Sequence, residues 1–178
     1  MGVKIEQDGP LRVGGVSVFP EAGFTRPSNT TQYTAADVVS NSTATTELMV
    51  FKNCVREPGG SGILYSGWMF DSVDAATNPN FSLTLFDSPN ITLAVDNAAG
   101  TVTDAESLTA VAVLIFDATM AEMVATVGPN LVIVNSMPAQ IFKCAPGSRD
   151  LWGLVNDRGA YTPASAEQFR FRLGIVQD

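Results

Sequence analysis

Apolar and polar positions alternate with a period of two over several short stretches, the mark of strands with one buried face. In Phe81–Phe86, Phe81, Leu83 and Leu85 share a face, with Ser82 and Thr84 on the other. In Phe169–Val176, Phe169, Phe171, Leu173 and Ile175 alternate with Arg170 and Arg172, which predicts a half-buried strand with a wet, basic outer face. Ile63–Phe70 is apolar on both sides, Trp68 and Phe70 on one and Tyr65 and Met69 on the other. Such a strand needs two covers, the core and a loop or partner. Ala110–Phe116 is continuously apolar and reads as a central strand. Leu48–Val55, Leu131–Asn135, Gln140–Cys144 and Leu151–Val155 are further strand candidates.

Turn chemistry separates these segments: Glu57-Pro58-Gly59-Gly60-Ser61-Gly62, Thr77-Asn78-Pro79-Asn80, Asp87-Ser88-Pro89-Asn90, Asp96–Gly100, Gly128-Pro129-Asn130 and Ala145-Pro146-Gly147-Ser148. Short strands at such intervals predict an all-β fold, an antiparallel β-sandwich or jelly-roll-like single domain. One departure is Ala118–Val127, where Met120, Met123, Val124 and Val127 recur at helical spacing before Gly128-Pro129. That spacing predicts a short helix. Residues 1–24 are broken by Gly9-Pro10, Gly14-Gly15 and Pro20, and only Val16–Phe19 can pair. They read as an N-terminal arm preceding a sandwich domain at 25–178.

Composition narrows the function classes. The 178 residues are 46% hydrophobic and 16% charged, which suits a folded domain of this size. The longest apolar run, Ala110–Phe116, is far shorter than a membrane-spanning helix. Met1–Gln7 is mixed, and Val16–Phe19 is too short for a signal-peptide core, so the expectation is a protein that does not use the secretory route. The four Asn-x-Ser/Thr triplets at Asn29, Asn41, Asn80 and Asn90 then read as chance matches. A net charge of −8 argues against a nucleic-acid footprint. Histidine is absent, which excludes Ser-His-Asp and Cys-His catalysis and every His-ligated metal site. Cys54 and Cys144 read as reduced, buried thiols.

The remaining polar candidates have structural readings. Asp71/Asp74, Asp104/Glu106 and Asp150/Asp157 are the closest carboxylate pairs a glycosidase could use, but all sit in or beside loops, where acids cap turns. Asp87–Asn90 and Asp96–Asp104 lack the spacing of a calcium loop. Gly59-Gly60-Ser61-Gly62 lacks the lysine of a phosphate loop. Arg170 and Arg172 read as solvated arginines. No catalytic residue, cofactor or metal is expected.

Three further stretches carry a likeness. They are Arg26-Pro27-Ser28-Asn29-Thr30-Thr31-Gln32-Tyr33-Thr34-Ala35-Ala36-Asp37-Val38-Val39, then Phe81–Asp87 with the acidic loop Val95-Asp96-Asn97-Ala98-Ala99, then Gly159-Ala160-Tyr161-Thr162-Pro163-Ala164-Ser165-Ala166-Glu167 with Phe169. In this order they resemble a family of small virion proteins of tailed bacteriophages, the capsid decoration or cement proteins, over about Thr25–Asp178. The resemblance implies a β-sandwich on the outside of the head shell, with the major capsid protein and other copies of itself, as dimer or trimer, for partners. It carries no catalytic motif. Pro27 and the Thr-rich run suit extended chain, and Tyr33 can bury its ring while bonding its hydroxyl. Pro163 biases Thr162 to an extended conformation.

The expected function is therefore structural, in a virion. Val16, Val18 and Phe19 are the candidate partner-binding residues, able to add an edge strand to a neighbouring sheet or to pair within their own. The alternative is a receptor- or carbohydrate-binding module on a tail or fibre, with Tyr65, Trp68 and Trp152 as its aromatic candidates.

Overall fold

The computed structural model describes residues 15–73, 79–117, 124–127 and 130–178, with the backbone alone at 124–127 and 130–137. Its strands are β1 (Val16–Val18), β2 (Glu21–Thr25), β3 (Met49–Phe51), β4 (Ser61–Asp71), β5 (Asn80–Phe86), β6 (Ala110–Asp117), β7 (Val124–Val127), β8 (Asn130–Lys143), β9 (Leu151–Asp157) and β10 (Gln168–Gln177). A one-turn helix, α1 (Asp104–Ser107), precedes β6. All ladders are antiparallel.

Two sheets pack face to face. One runs β1-β10-β4-β8-β7 with β2 also on β10; the other runs β3-β9-β5-β6. With β7 set aside as a hairpin added to β8, the successive strands β2 to β10 fall in the orders 2-10-4-8 and 3-9-5-6. That is the winding of a jelly roll, two Greek keys closing one core. The alternating segments place their apolar sides as the sequence predicts. Phe81, Leu83 and Leu85 of β5 and Phe169, Phe171, Leu173 and Ile175 of β10 are fully buried. Phe81 meets Phe169 edge-on at 5.1 Å and Phe116 meets Phe171 at 5.5 Å, the favoured arrangement of aromatic pairs.

Several expectations are corrected. Val124–Val127 is strand β7 on β8, not helix, because β-branched valines and threonine with a hairpin partner favour extended chain. The rest of that predicted helix, 118–123, lies outside the described residues. Ala110–Phe116 forms the edge strand β6, not a central one; Val113 and Ile115 on its outer side stay 53% and 41% exposed. Leu131–Asn135 and Gln140–Cys144 belong to the single strand β8. Pro138 falls where its register with β4 shifts, and a bulge tolerates the missing N–H. Only Met49–Phe51 of Leu48–Val55 is strand, the chain turning at Asn53 with a positive φ of 56°. The 24/25 boundary falls inside β2, so residues 16–24 are part of the sandwich sheet.

At Gly67 on β4 the two sheets come too close to leave room for a side chain. A Cβ there would collide with Leu114 of β6 and lie 3.2 Å from the ring of Phe116. Gly67→Ala is expected to lower the unfolding free energy by about 1–3 kcal/mol through overpacking. Gly159→Ala, where a Cβ meets nothing within 4 Å, should stay within about 0.5 kcal/mol of wild type. Urea unfolding of both variants checks this.

Candidate interaction surface

The two sheets treat their outer faces differently. Over β5 and β9 of the four-stranded sheet the chain builds its own roof, which leaves the outer side of β6 exposed. Val38, Phe86, Ile91 and Leu154 form a second buried cluster, with Leu48, Leu93 and Ala94 packed against it. The roofing segments, 34–48 and 87–103, are tied down by backbone hydrogen bonds. Val39 N–H donates to the Val155 carbonyl (3.0 Å), Val38 N–H to Ala98 (2.9 Å) and Asp96 N–H to Ser42 (2.9 Å). Asp37 closes the turn, its carboxylate accepting from the Thr34 N–H (2.7 Å) and hydroxyl (2.9 Å).

A buried polar latch holds this roof to the core. The Arg26 and Asp96 side chains have no exposed surface and pair at 3.2 Å. Asp96 Oδ1 accepts from the Tyr33 hydroxyl (2.6 Å) and the Ser40 N–H (2.9 Å). Arg26 Nε donates to the same Tyr33 hydroxyl, and Nη1 to the Ala164 carbonyl at 3.3 Å. The Tyr33 and Tyr161 rings stack at 6.3 Å, and the Tyr161 hydroxyl donates to Glu167 at 2.6 Å. Burial, reinforced by the bond to Asp96, pushes the Tyr33 hydroxyl well above the usual phenol range. The first stretch of the family likeness, the acidic loop and the closing stretch all contribute to this latch, so their residues have structural work here.

The six-stranded sheet has an outer face of a different kind. Arg170, Arg172 and Val176 of β10 and Ile63, Trp68 and Phe70 of β4 point away from the core. A bulge between Leu64 and Ser66 resets the alternation and lays the Tyr65 ring over Gly174 on this same face, where a Cβ on Gly174 would sit 2.9 Å from it. Tyr65 therefore lies beside Trp68, not opposite it. Ile141 of β8, cross-strand from Ile63, is 77% exposed. Phe19 is 51% exposed and meets Trp68 edge-on at 5.9 Å. The Arg172 guanidinium lies over Phe70 at 5.4 Å and pairs with Glu21. Arg170 is exposed. The result is an aromatic and aliphatic face bearing cations, on a chain of net charge −8.

Of the candidate partner residues, Val16 and Val18 pair within their own sheet, opposite Gln177 and Ile175 of β10. Val18 packs against the core, while Val16, on the same side of the strand, stays 49% exposed at the sheet's edge. Compared with known proteins, the chain matches no family model and no curated protein. Trp152, half-buried on the outer side of β9, lines a separate open cleft of about 690 Å³ with Lys52, Asn53, Pro89, Arg149 and Asp150.

Three of the acidic candidates, Asp150, Glu106 and Asp71, are taken up in turn and cap contacts. Asp150 accepts from the Asn53 N–H (2.8 Å) at the opposite end of β9 from Asp157. Glu106 closes a capping box with Thr103 and accepts from Thr92, bonds that hold it down to about 2. Asp71 is buried and accepts from the Val73 N–H at 3.0 Å, while Asp74 lies outside the described residues. Among the described residues no three His, Cys, Asp or Glu side chains gather as a metal site requires. Cys54 and Cys144 are free and buried, and burial raises the Cys144 thiol to about 11.

Two predictions follow from the buried charges. Asp96→Ala leaves Arg26 charged and unpaired and is expected to cost about 3–5 kcal/mol in urea unfolding, and adding Arg26→Met should recover a large part. Asp157 is 1% exposed, with neither carboxylate oxygen hydrogen-bonded to a partner. Burial raises it to about 6, opposed by the nearby Gly159 and Arg158 N–H groups and reinforced by Asp37. Its folded form therefore binds a proton more tightly than the unfolded chain does, and its ionisation destabilises the fold above that pH. Asp157→Asn should raise stability at pH 7, and thermal melts should show this advantage fading as pH falls to 4.

Proposed function

We propose that the protein is a non-enzymatic structural component of a tailed-bacteriophage virion, a decoration protein that lays the outer face of its six-stranded sheet on the head shell. The observation that carries this reading is the difference between the two faces. One sheet is roofed by its own loops over β5 and β9 and leaves Val113 and Ile115 exposed only along its β6 edge, while the other leaves Phe19, Ile63 and Ile141 exposed beside Tyr65, Trp68 and Phe70. A contiguous apolar patch of this sort marks an interaction surface. The family likeness supplies the assembly, and its major capsid protein is the partner. Jelly rolls serve in viral capsids and in lectins alike, so the winding accommodates the reading without choosing it.

The mechanism is burial without chemistry. A subunit spanning two shell subunits adds its own contacts to the cost of separating them, and an interface of about 1,600 Å² is typical of stable contacts. Copies repeated over a symmetric shell make modest affinity per copy sufficient. The aromatic rings supply area at little entropic cost, and the exposed cations orient the face toward acidic surface.

The cleft beside Trp152 favours a second reading, a glycan-binding module on a tail or fibre, since a half-exposed indole among polar side chains suits a sugar ring.

The test of the first reading is a pair of substitutions on the cross-strand neighbours. Ile63→Glu with Ile141→Glu should leave the melting temperature nearly unchanged. Co-sedimentation with purified heads should weaken at least tenfold, because each isoleucine gives up about 1.5–3 kcal/mol of burial. Unchanged co-sedimentation would move the contact to another surface. Binding that depends on Trp152 and is competed by oligosaccharide would favour the second reading.

A further inference from the structure

One edge of the six-stranded sheet, opposite β7, is a single strand that one proline divides in two. β1 and β2 follow β10 in one register, Val16 opposite Gln177 and Glu21 opposite Arg172. Between them the Leu173 N–H still donates to the Pro20 carbonyl at 3.0 Å. At the far end the Arg26 N–H donates to the Glu167 carbonyl at 2.8 Å. Antiparallel ladders alternate, so the even-numbered residues spend their backbone groups on β10. Ser17, Phe19, Glu21, Gly23 and Thr25 then turn their N–H and C=O groups to the other side, where no strand of the described residues pairs with them.

Native sheet edges are commonly blocked by a bulge, a lysine, or a proline whose missing N–H faces outward. This edge has none of them. Pro20 stands in a position that faces β10 and removes no donor from the open side. The one charge on the edge, Glu21, is already held by Arg172. An open groove of about 370 Å³ runs over Gly23, bounded by Glu21, Thr25, Gln168 and Arg170. Glycine is required there, because a Cβ would lie 2.5 Å from the Phe169 carbonyl.

We infer that this edge pairs with the same edge of a second copy, antiparallel, about a twofold axis at Glu21. In that register Ser17 faces Thr25 of the second copy, Phe19 faces Gly23, and each Glu21 faces the other. Every outward N–H and C=O between 17 and 25 gains a partner, two hydrogen bonds at each of the five positions. The exposed Phe19 ring fills the groove over Gly23 of the other copy and lies against its Arg170. That is an aromatic covering a strand glycine, with a cation at its face. On the inner side Val18 faces Phe24 and Pro20 faces Ala22, apolar against apolar. The two Glu21 carboxylates at the axis are balanced by the two Arg172 guanidiniums. A register centred on Gly23 would pair only three positions and leave Phe19 and its groove unmatched. The contact is self-complementary, as a closed twofold dimer requires; it takes Phe19 into the dimer and leaves Ile63 and Ile141 to the shell reading.

The test is sedimentation velocity on the full chain with a crosslinking arm. The wild type should sediment as a dimer of the 18.8 kDa chain. Ser17→Pro, which removes an outward N–H without touching the ladder to β10, and Phe19→Lys, which sets a cation beside Arg170 of the other copy, should each raise the dissociation constant at least tenfold with unchanged circular dichroism. In the double variant Ser17→Cys with Thr25→Cys, oxidation should give a disulfide-linked dimer. The two sites lie about 26 Å apart within one chain, and the native Cys54 and Cys144 are buried. A wild type that stays monomeric overturns the inference. So does a dimer that ignores both edge variants and does not crosslink.

Discussion

The fold depends on a charge that has been taken out of water and compensated there. Arg26 leaves β2 and enters the interior, where Asp96, Tyr33 and the Ala164 carbonyl share its donors. A guanidinium so placed is tolerable only if all these partners arrive together. That requirement ties the segment after β2, the loop before α1 and the turn before β10 into one unit. Hydrophobic contact is tolerant of small shifts, whereas this arrangement is not, and it fixes where three long connections must lie. A jelly roll has such connections by construction, since most of its strands cross from one sheet to the other.

The consequence is a molecule with a finished side and an unfinished one. The segments pinned by the latch cover the four-stranded sheet and bury a small core of their own. Nothing comparable is built from the described residues over Ile63, Ile141 and Phe19, which lie exposed, as Val113 and Ile115 do along the β6 edge of the other sheet. The six-stranded sheet ends in a strand whose outward backbone groups have no strand partner among the described residues. Face and edge thus offer two different kinds of contact, one through side chains and one through the main chain, at right angles to each other.

Much of this was legible in the sequence where the period of two was clean. β5 and β10 declare their buried faces directly, and the two-sided apolar pattern of Ile63–Phe70 matches a strand that carries Trp68 and Phe70 on its outer face as well as a buried inner one. The face of Tyr65 was not legible, because a bulge has no signature in the alternation it resets. The continuous run Ala110–Phe116 suits a central strand and an uncovered edge equally well, and the pattern cannot tell them apart. Pro138 split β8 into two candidates since a bulge that accommodates it depends on the partner strand. The latch was invisible as chemistry. Arg26 and Asp96 lie 70 residues apart, and Tyr33 and Asp96 lie 63. The capping box of α1 stood in plain view as Thr103 followed by Glu106, though the same glutamate also reads as half of an acidic pair.

The position of β10 bears on how the chain is made. It is the last strand of the domain, yet it lies inside the six-stranded sheet, joining the first strands to β4. During synthesis β1 and β2 must therefore wait, unpaired, until some 150 residues later their neighbour emerges. Such long-range closure makes folding slow. It also means that a polypeptide released early, without Gln168–Gln177, has no means of completing that sheet, so the winding itself screens unfinished products from assembly.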